Sequence, residues 1–127
     1  MKKQLKKVNS FHKAFNIGQA PKAPTLIYEN EYKLRHNLAL EELNEYLEAC
    51  KSGDLIEVAD ALGDQLYILC GTILAHGMQN VITDVFDEIH NSNMSKLDKD
   101  GKPIFREDGK VLKGENYFRP ELQKFIK

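Results

Sequence analysis

Glu41-Glu42-Leu43-Asn44-Glu45 and, a short way on, Glu57-Val58-Ala59-Asp60 form the stretch on which this fold turns. In each segment two acids sit three apart, and on a helix such a pair projects from one face. Between them lies Ser52-Gly53-Asp54. Gly53 suits the left-handed position that ends a helix, and Asp54 suits the cap that begins the next, with Glu57 placed three residues on as in a capping box. The spacing therefore predicts two antiparallel helices joined by a tight turn.

Working outward, residues 29–51 carry no Gly or Pro and are rich in Leu, Glu and Ala, which predicts one long helix. Ala39, Leu43, Tyr46, Leu47 and Cys50 form its expected apolar face, with Glu41, Glu42, Glu45 and Glu48 opposite. The second helix is expected to run to about His76 and stop at Gly77. It is apolar nearly all round, the mark of a buried helix, and its stripe Glu57, Asp60, Asp64 continues into Ile68, Gly71 and Ala75. Upstream, Phe11, Ala14 and Phe15 suggest a short helix over residues 10–17, followed by an extended segment at Pro21 and Pro24. Downstream, Asn80 is the expected cap of a helix over 81–93 whose core face is Val81, Ile82, Val85, Phe86 and Ile89. The turns Asp100-Gly101 and Asp108-Gly109, the latter flanked by Pro103-Ile104-Phe105-Arg106 and Lys110-Val111-Leu112, predict a small C-terminal β-hairpin. A last short helix is expected over 120–126, with Pro120 in its first turn.

The expected architecture is thus an all-α bundle with a small hairpin, one domain over residues 1–127. Two amphipathic helices and one buried helix make a thin core, so completion by oligomerisation, as a homodimer or dimer of dimers, is expected. The chain holds 18 basic and 19 acidic residues, 42% hydrophobic and 29% charged overall. That balance argues against non-specific nucleic-acid binding. The longest apolar run, Leu66 to Ala75, falls short of a membrane span, and no secretory leader is visible, so a cytoplasmic protein with reduced Cys50 and Cys70 is expected.

Two acid pairs on neighbouring helices can converge, and carboxylates brought together repel unless a cation sits among them. Oxygen-only ligands favour a hard ion, Mg²⁺ with Mn²⁺ as the alternative, and carboxylate-held Mg²⁺ is the usual partner of a polyphosphate. Acid on a helix is more often plain solvated surface, and Glu48 is read that way. Asp60 and Asp64 are harder to dismiss, because their stripe runs into apolar positions.

The whole pattern resembles the signature of the all-α nucleoside triphosphate pyrophosphohydrolases, the MazG-like superfamily. Arg35-x-x-Leu38-x-x-Glu41-Glu42-Leu43 is similar to its lead-in, and Asp60-Ala61-Leu62-Gly63-Asp64-x-Leu66-Tyr67 to its second core helix. His90-x-Ser92-Asn93-Met94-Ser95-Lys96 and Gly109-Lys110-Val111-x-Lys113-Gly114 look like marks of the phosphoribosyl-ATP pyrophosphohydrolase-like branch. The resemblance spans about residues 32–120. It implies that Glu42, Glu45, Glu57 and Asp60 hold metal, and that Glu41 orients or deprotonates the attacking water or binds a further Mg²⁺. It implies water attack on the α-phosphorus of a nucleoside triphosphate, releasing a monophosphate and pyrophosphate. Asn93 and Lys96 are then expected at phosphate or sugar. Lys110, Lys113 and Arg35 are candidate phosphate contacts with solvated surface as the equal alternative, and Asp64 is a supporting group behind the ligands or a member of a salt bridge.

Rival readings are phosphoribosyl-ATP hydrolysis, a di-iron carboxylate bundle and a non-catalytic dimerisation module. The di-iron bundle needs paired Glu-x-x-His motifs, and Asp87-x-x-His90 is the nearest approach in this chain.

Overall fold

The turn between the acid pairs forms as its residues dictate. In a computed structural model, which describes residues 1–126, helix α2 (Glu29–Ser52) closes on Gly53 at φ 71°. Helix α3 (Leu55–Ala75) opens on Asp54. The Asp54 carboxylate accepts from Ile56 N at 3.0 Å and Glu57 N at 3.2 Å, satisfying two of the first-turn donors a helix leaves free. The reciprocal half of a capping box does not form, because the Asp54 N–H goes to Ala49 O at 3.2 Å. The Glu57 carboxylate is therefore not used as a cap.

The described residues fall into two compact units, Met1–Asn80 and the residues from Val81 onward. The first holds α1 (Lys2–Ala14), α2 and α3, with both α1 and α2 packed on α3. Helix α1 begins at Lys2 rather than near Ser10, which corrects the short helix expected from the sequence. Leu5 and Val8, almost fully buried, supply the apolar edge that holds its lysine-rich first turns in place. Phe11 stacks on Phe15 at 4.5 Å and meets the edge of Tyr67 on α3 at 5.6 Å.

The segment after α1 is pinned across the C-terminal end of α3. Thr25 N donates to His76 O at 2.9 Å, His76 Nδ1 bonds Thr25 O at 2.8 Å, and Gln79 Nε2 donates to Pro21 O at 2.8 Å. Gly77 sits at φ 65° directly under the Ala23 carbonyl, so a Cβ there would collide with backbone. Both its positive φ and the space demand glycine.

The expected apolar face of α2 is not the one turned to α3. Ala49 is buried and Arg35, Leu38 and Glu42 are half-buried, whereas Leu43 and Leu47 stay 52% and 49% exposed. Across the groove Leu62, Leu66 and Leu69 of α3 are exposed as well. An all-round apolar α3 covers only the stripe of α2 that it touches, and each helix keeps a second apolar stripe. Helix α3, with 21 residues and a mean hydropathy of 1.3 over its most apolar window, is long and apolar enough to cross a bilayer by length and composition alone, a property that core helices of soluble proteins share.

In the second unit α4 spans Ile82–Met94, with Val81 rather than Asn80 at its N-cap and no side-chain cap bond. The predicted hairpin shrinks to a turn. Phe105 and Val111 form one antiparallel bridge, and no strand develops among the described residues. Two backbone bonds flank that bridge, Arg106 N to Lys110 O and Leu112 N to Ile104 O, both 2.7 Å, and within the turn Asp108 pairs with Arg106 and accepts from Lys110 N. The final helix is a single 3₁₀ turn, Leu122–Lys124.

Candidate metal centre between the two long helices

Helices α2 and α3 bring Glu42, Glu45 and Asp64 to one point. Each offers a carboxylate oxygen, and these oxygens lie within 4.8 Å of one another. Glu42 and Asp64 are half-buried and Glu45 is exposed. Burial raises the pKa of Glu42, and Glu45, Asp64 and Asp60 raise it further. Burial likewise raises Asp64, with Asp60 and then Glu45 adding to the effect. Like charges this close disfavour ionisation of each other. Asp60 thus belongs to the same electrostatic cluster through its charge.

Glu57 and Asp60 line an open cleft of about 720 Å³ together with Glu45 and Glu48. The cleft adjoins the cluster through Glu45. Glu41 is exposed, one helical turn before Glu45 on α2. Of the expected ligands, Glu42 and Glu45 thus meet in the three-oxygen cluster, whereas Glu57 and Asp60 lie along the adjoining cleft, with the Asp60 charge acting on Glu42 and Asp64.

A divalent ion is tested by a single atom. Glu42 Oε2 is fully buried and has no hydrogen-bond partner. A buried carboxylate oxygen without a donor is costly. No lysine, arginine or histidine pairs with Glu42, Glu45, Asp60 or Asp64 among the described residues. An all-oxygen donor set with one such unpartnered atom fits a hard divalent cation.

Asp64 is the residue whose role the sequence understated. It was expected behind the ligands or in a salt bridge, yet it offers an oxygen to the cluster directly. The signal was present in the spacing, since 57, 60 and 64 follow the three-four rhythm of one helix face.

Arg35 is engaged elsewhere. Its Nε donates to Thr72 Oγ1 at 3.0 Å and its Nη2 to Ile68 O at 2.6 Å. The guanidinium lies over Gly71, where a Cβ would strike it. It clamps α2 to α3 about two helical turns from Glu42.

The other expected substrate contacts lie in the second unit. Asn93 is exposed on the last turn of α4. Lys96 O accepts from Gly114 N at 2.8 Å, so the Asn-Met-Ser-Lys and Gly-Lys-Val-x-Lys-Gly segments meet. Ser92 Oγ donates to Phe118 O at 2.8 Å and Ser95 Oγ accepts from Phe118 N at 3.1 Å, extending the seam. The carbonyl of Leu97 presses on Gly114, leaving no room for a side chain. Lys113 Nζ rests over the Tyr117 ring at 4.7 Å, and Lys110 follows the Asp108-Gly109 turn.

The phosphoribosyl-ATP pyrophosphohydrolase family model matches residues 8–93. No curated protein matches the chain. Among solved structures, the chain is similar to a protein from Exiguobacterium sp. 255-15, provisionally assigned as an NTP pyrophosphohydrolase. Identity is 26% over 94% of this chain and 90% of that one, with a TM-score of 0.47.

Proposed function

The chain belongs to the phosphoribosyl-ATP pyrophosphohydrolase family, within the MazG-like all-α NTP pyrophosphohydrolase superfamily, and from that premise we propose that it hydrolyses a nucleoside triphosphate to the monophosphate and pyrophosphate with Mg²⁺. The substrate is a deoxynucleotide or a non-standard nucleotide in this reading. The observation that carries it is the convergence of carboxylate oxygens of Glu42, Glu45 and Asp64 within 4.8 Å, in a set where Glu42 also keeps a buried, unpartnered oxygen.

Glu42, Glu45, Glu57 and Asp60 hold the cation, with Asp64 joining them or orienting them. When bound, Mg²⁺ neutralises phosphate oxygens and lowers the charge barrier to attack. Glu41, exposed beside the cluster, positions a water and accepts its proton. In the second unit Asn93, which both donates and accepts, is suited to sugar or phosphate, and Lys96, Lys110 and Lys113 offer the compact positive charge that suits a polyphosphate. Arg35 is left out of this set because α3 already holds it.

The family name supports a second reading, phosphoribosyl-ATP as substrate. The groove between α2 and α3 supports a homodimer, or a dimer of dimers. Leu43, Leu62, Leu66 and Leu69 line about 690 Å³ of open apolar space there, and a second copy would bury them. Free thiols at Cys50 and Cys70 accord with a cytoplasmic setting.

The test is pyrophosphate release from all ribo- and deoxyribonucleoside triphosphates and from phosphoribosyl-ATP, with Mg²⁺ or Mn²⁺ and again with EDTA. Release that EDTA abolishes is expected with at least one substrate. No release from any substrate overturns the reading. A non-catalytic helical dimerisation module would instead show no release and no metal binding, and its assembly would tolerate Glu45→Gln and Asp60→Asn.

A further inference from the structure

The first unit contains a second cavity that the acid cluster does not use. It measures about 430 Å³ and lies between α1, the segment that follows it, and the ends of α2 and α3. Ile17, Pro21, Ile27, Leu34 and Leu74 are among its apolar walls. Its polar groups include Arg35 and His12, with Glu31 also on the wall. The wall is fixed rather than loose, since the Thr25–His76 and Gln79–Pro21 bonds pin the segment to α3. A volume of this size, apolar with a few convergent polar groups, is typical of a small-molecule site.

Arg35, which lines both this cavity and the α2–α3 groove, gives the cavity its chemistry. Its guanidinium is half-buried, yet no carboxylate pairs with it among the described residues. Only neutral oxygens, Thr72 Oγ1 and Ile68 O, accept from it. These bonds use Nε and one hydrogen of Nη2. The remaining Nη1 and Nη2 hydrogens form the end-on fork that matches a planar or tetrahedral oxyanion. His12 stands beside it, close enough that a Cβ on Gly71 would lie 3.1 Å from its Nε2. Burial and the Arg35 charge lower the His12 pKa, leaving a neutral ring that can donate one hydrogen bond. A half-buried cation without a counterion is costly, and an anion in the cavity would remove that cost.

We propose that this cavity binds a small organic oxyanion, a phosphate monoester or carboxylate carried on an apolar body, with the Arg35 fork on the charged end and His12 beside it. The apolar walls exclude a bare inorganic ion as the preferred occupant. The site stands apart from the metal-centre reading and needs no metal.

The test titrates the full-length protein in EDTA with AMP, benzoate and inorganic phosphate, followed by calorimetry and amide chemical shifts. Saturable binding of AMP or benzoate is expected, with shifts at His12, in residues 17–28 and at Leu74 and Ala75. AMP alone marks a phosphate ligand and benzoate alone a carboxylate. Arg35→Met should weaken binding at least about tenfold, the scale of a charge-assisted hydrogen bond. Ala75→Met, which narrows the cavity and leaves the Arg35 bonds in place, should weaken it as well and serves if Arg35→Met does not fold. Glu45→Gln should bind normally while losing pyrophosphate release. The proposal is overturned if neither AMP nor benzoate binds at up to about 10 mM, if Ala75→Met binds like the parent, or if inorganic phosphate binds as tightly as both.

Discussion

Glu42 on α2 and Asp64 on α3 present carboxylate oxygens within 4.8 Å of each other, and burial raises the pKa of both. A raised carboxylate pKa means that the folded chain holds its proton more tightly than the unfolded chain. In metal-free protein the pair therefore costs stability, and the cost grows as pH rises from the unfolded value through the folded one. Asp64→Asn should raise the Tm of the EDTA-treated protein by roughly 2–4 °C at neutral pH and change it little at acid pH. Thermal unfolding at several pH values in EDTA measures this.

Divalent ions should reverse that cost. A ligand that binds only the folded state at a hundred times its Kd adds about 2.7 kcal/mol. Mg²⁺ or Mn²⁺ should therefore raise Tm in the parent and fail to do so in Glu45→Gln and Asp60→Asn. The same two changes should reduce pyrophosphate release by about a hundredfold or more. Thermal shift with and without EDTA, beside the release assay, separates binding from chemistry.

Glu57 and Asp54 should part company on substitution. Asp54 caps α3 and Glu57 does not cap back. Asp54→Ala should cost about 0.5–2 kcal/mol of stability and leave metal affinity unchanged. Glu57→Gln should leave apo stability nearly unchanged and weaken metal binding. Urea unfolding and metal titration on the two variants check the contrast.

Two glycines should not tolerate a methyl group. Gly71→Ala drives a Cβ into the Arg35 guanidinium, and Gly77→Ala adds a strained φ to a clash with the Ala23 carbonyl. Overpacking of this kind costs about 1–3 kcal/mol, and Gly77→Ala should be the worse because backbone cannot swing aside. Denaturant midpoints rank them.

Acid should loosen the chain end. Glu88 accepts from Glu121 N at 2.9 Å and from Lys124 Nζ at 3.3 Å. The backbone bond lowers its pKa first, and Lys124 adds to it. A lowered carboxylate pKa gives stability that is present above the unfolded value and lost as pH falls through the folded one. Amide exchange at Glu121 should accelerate over that acid window, and Glu88→Gln should show faster exchange already at neutral pH.

Much of this was legible in the sequence. Ser52-Gly53-Asp54 determined the turn between α2 and α3 through local backbone preference and a side chain reaching its own helix. The three-four spacing of Glu42, Glu45, Glu57 and Asp60 placed acids on helix faces for the same local reason. Other features depended on partners distant in the chain. The start of α1 was hidden because lysines dominate its first turns, and only contact with α3 gives Leu5 and Val8 a place to bury. The hairpin signal at Asp108-Gly109 was sound for a turn and silent on whether flanking residues would ladder.

The sequence by itself determined the two long helices, their joint and the acid faces, because caps, propensity and periodicity act over a few residues. Only the tertiary structure decided that Asp64 reaches the cluster, that Arg35 turns away to clamp Thr72, and which stripe of α2 meets α3. Those outcomes depend on how two helices rotate about their axes when packed, and a helix with apolar residues on more than one side does not encode that rotation locally.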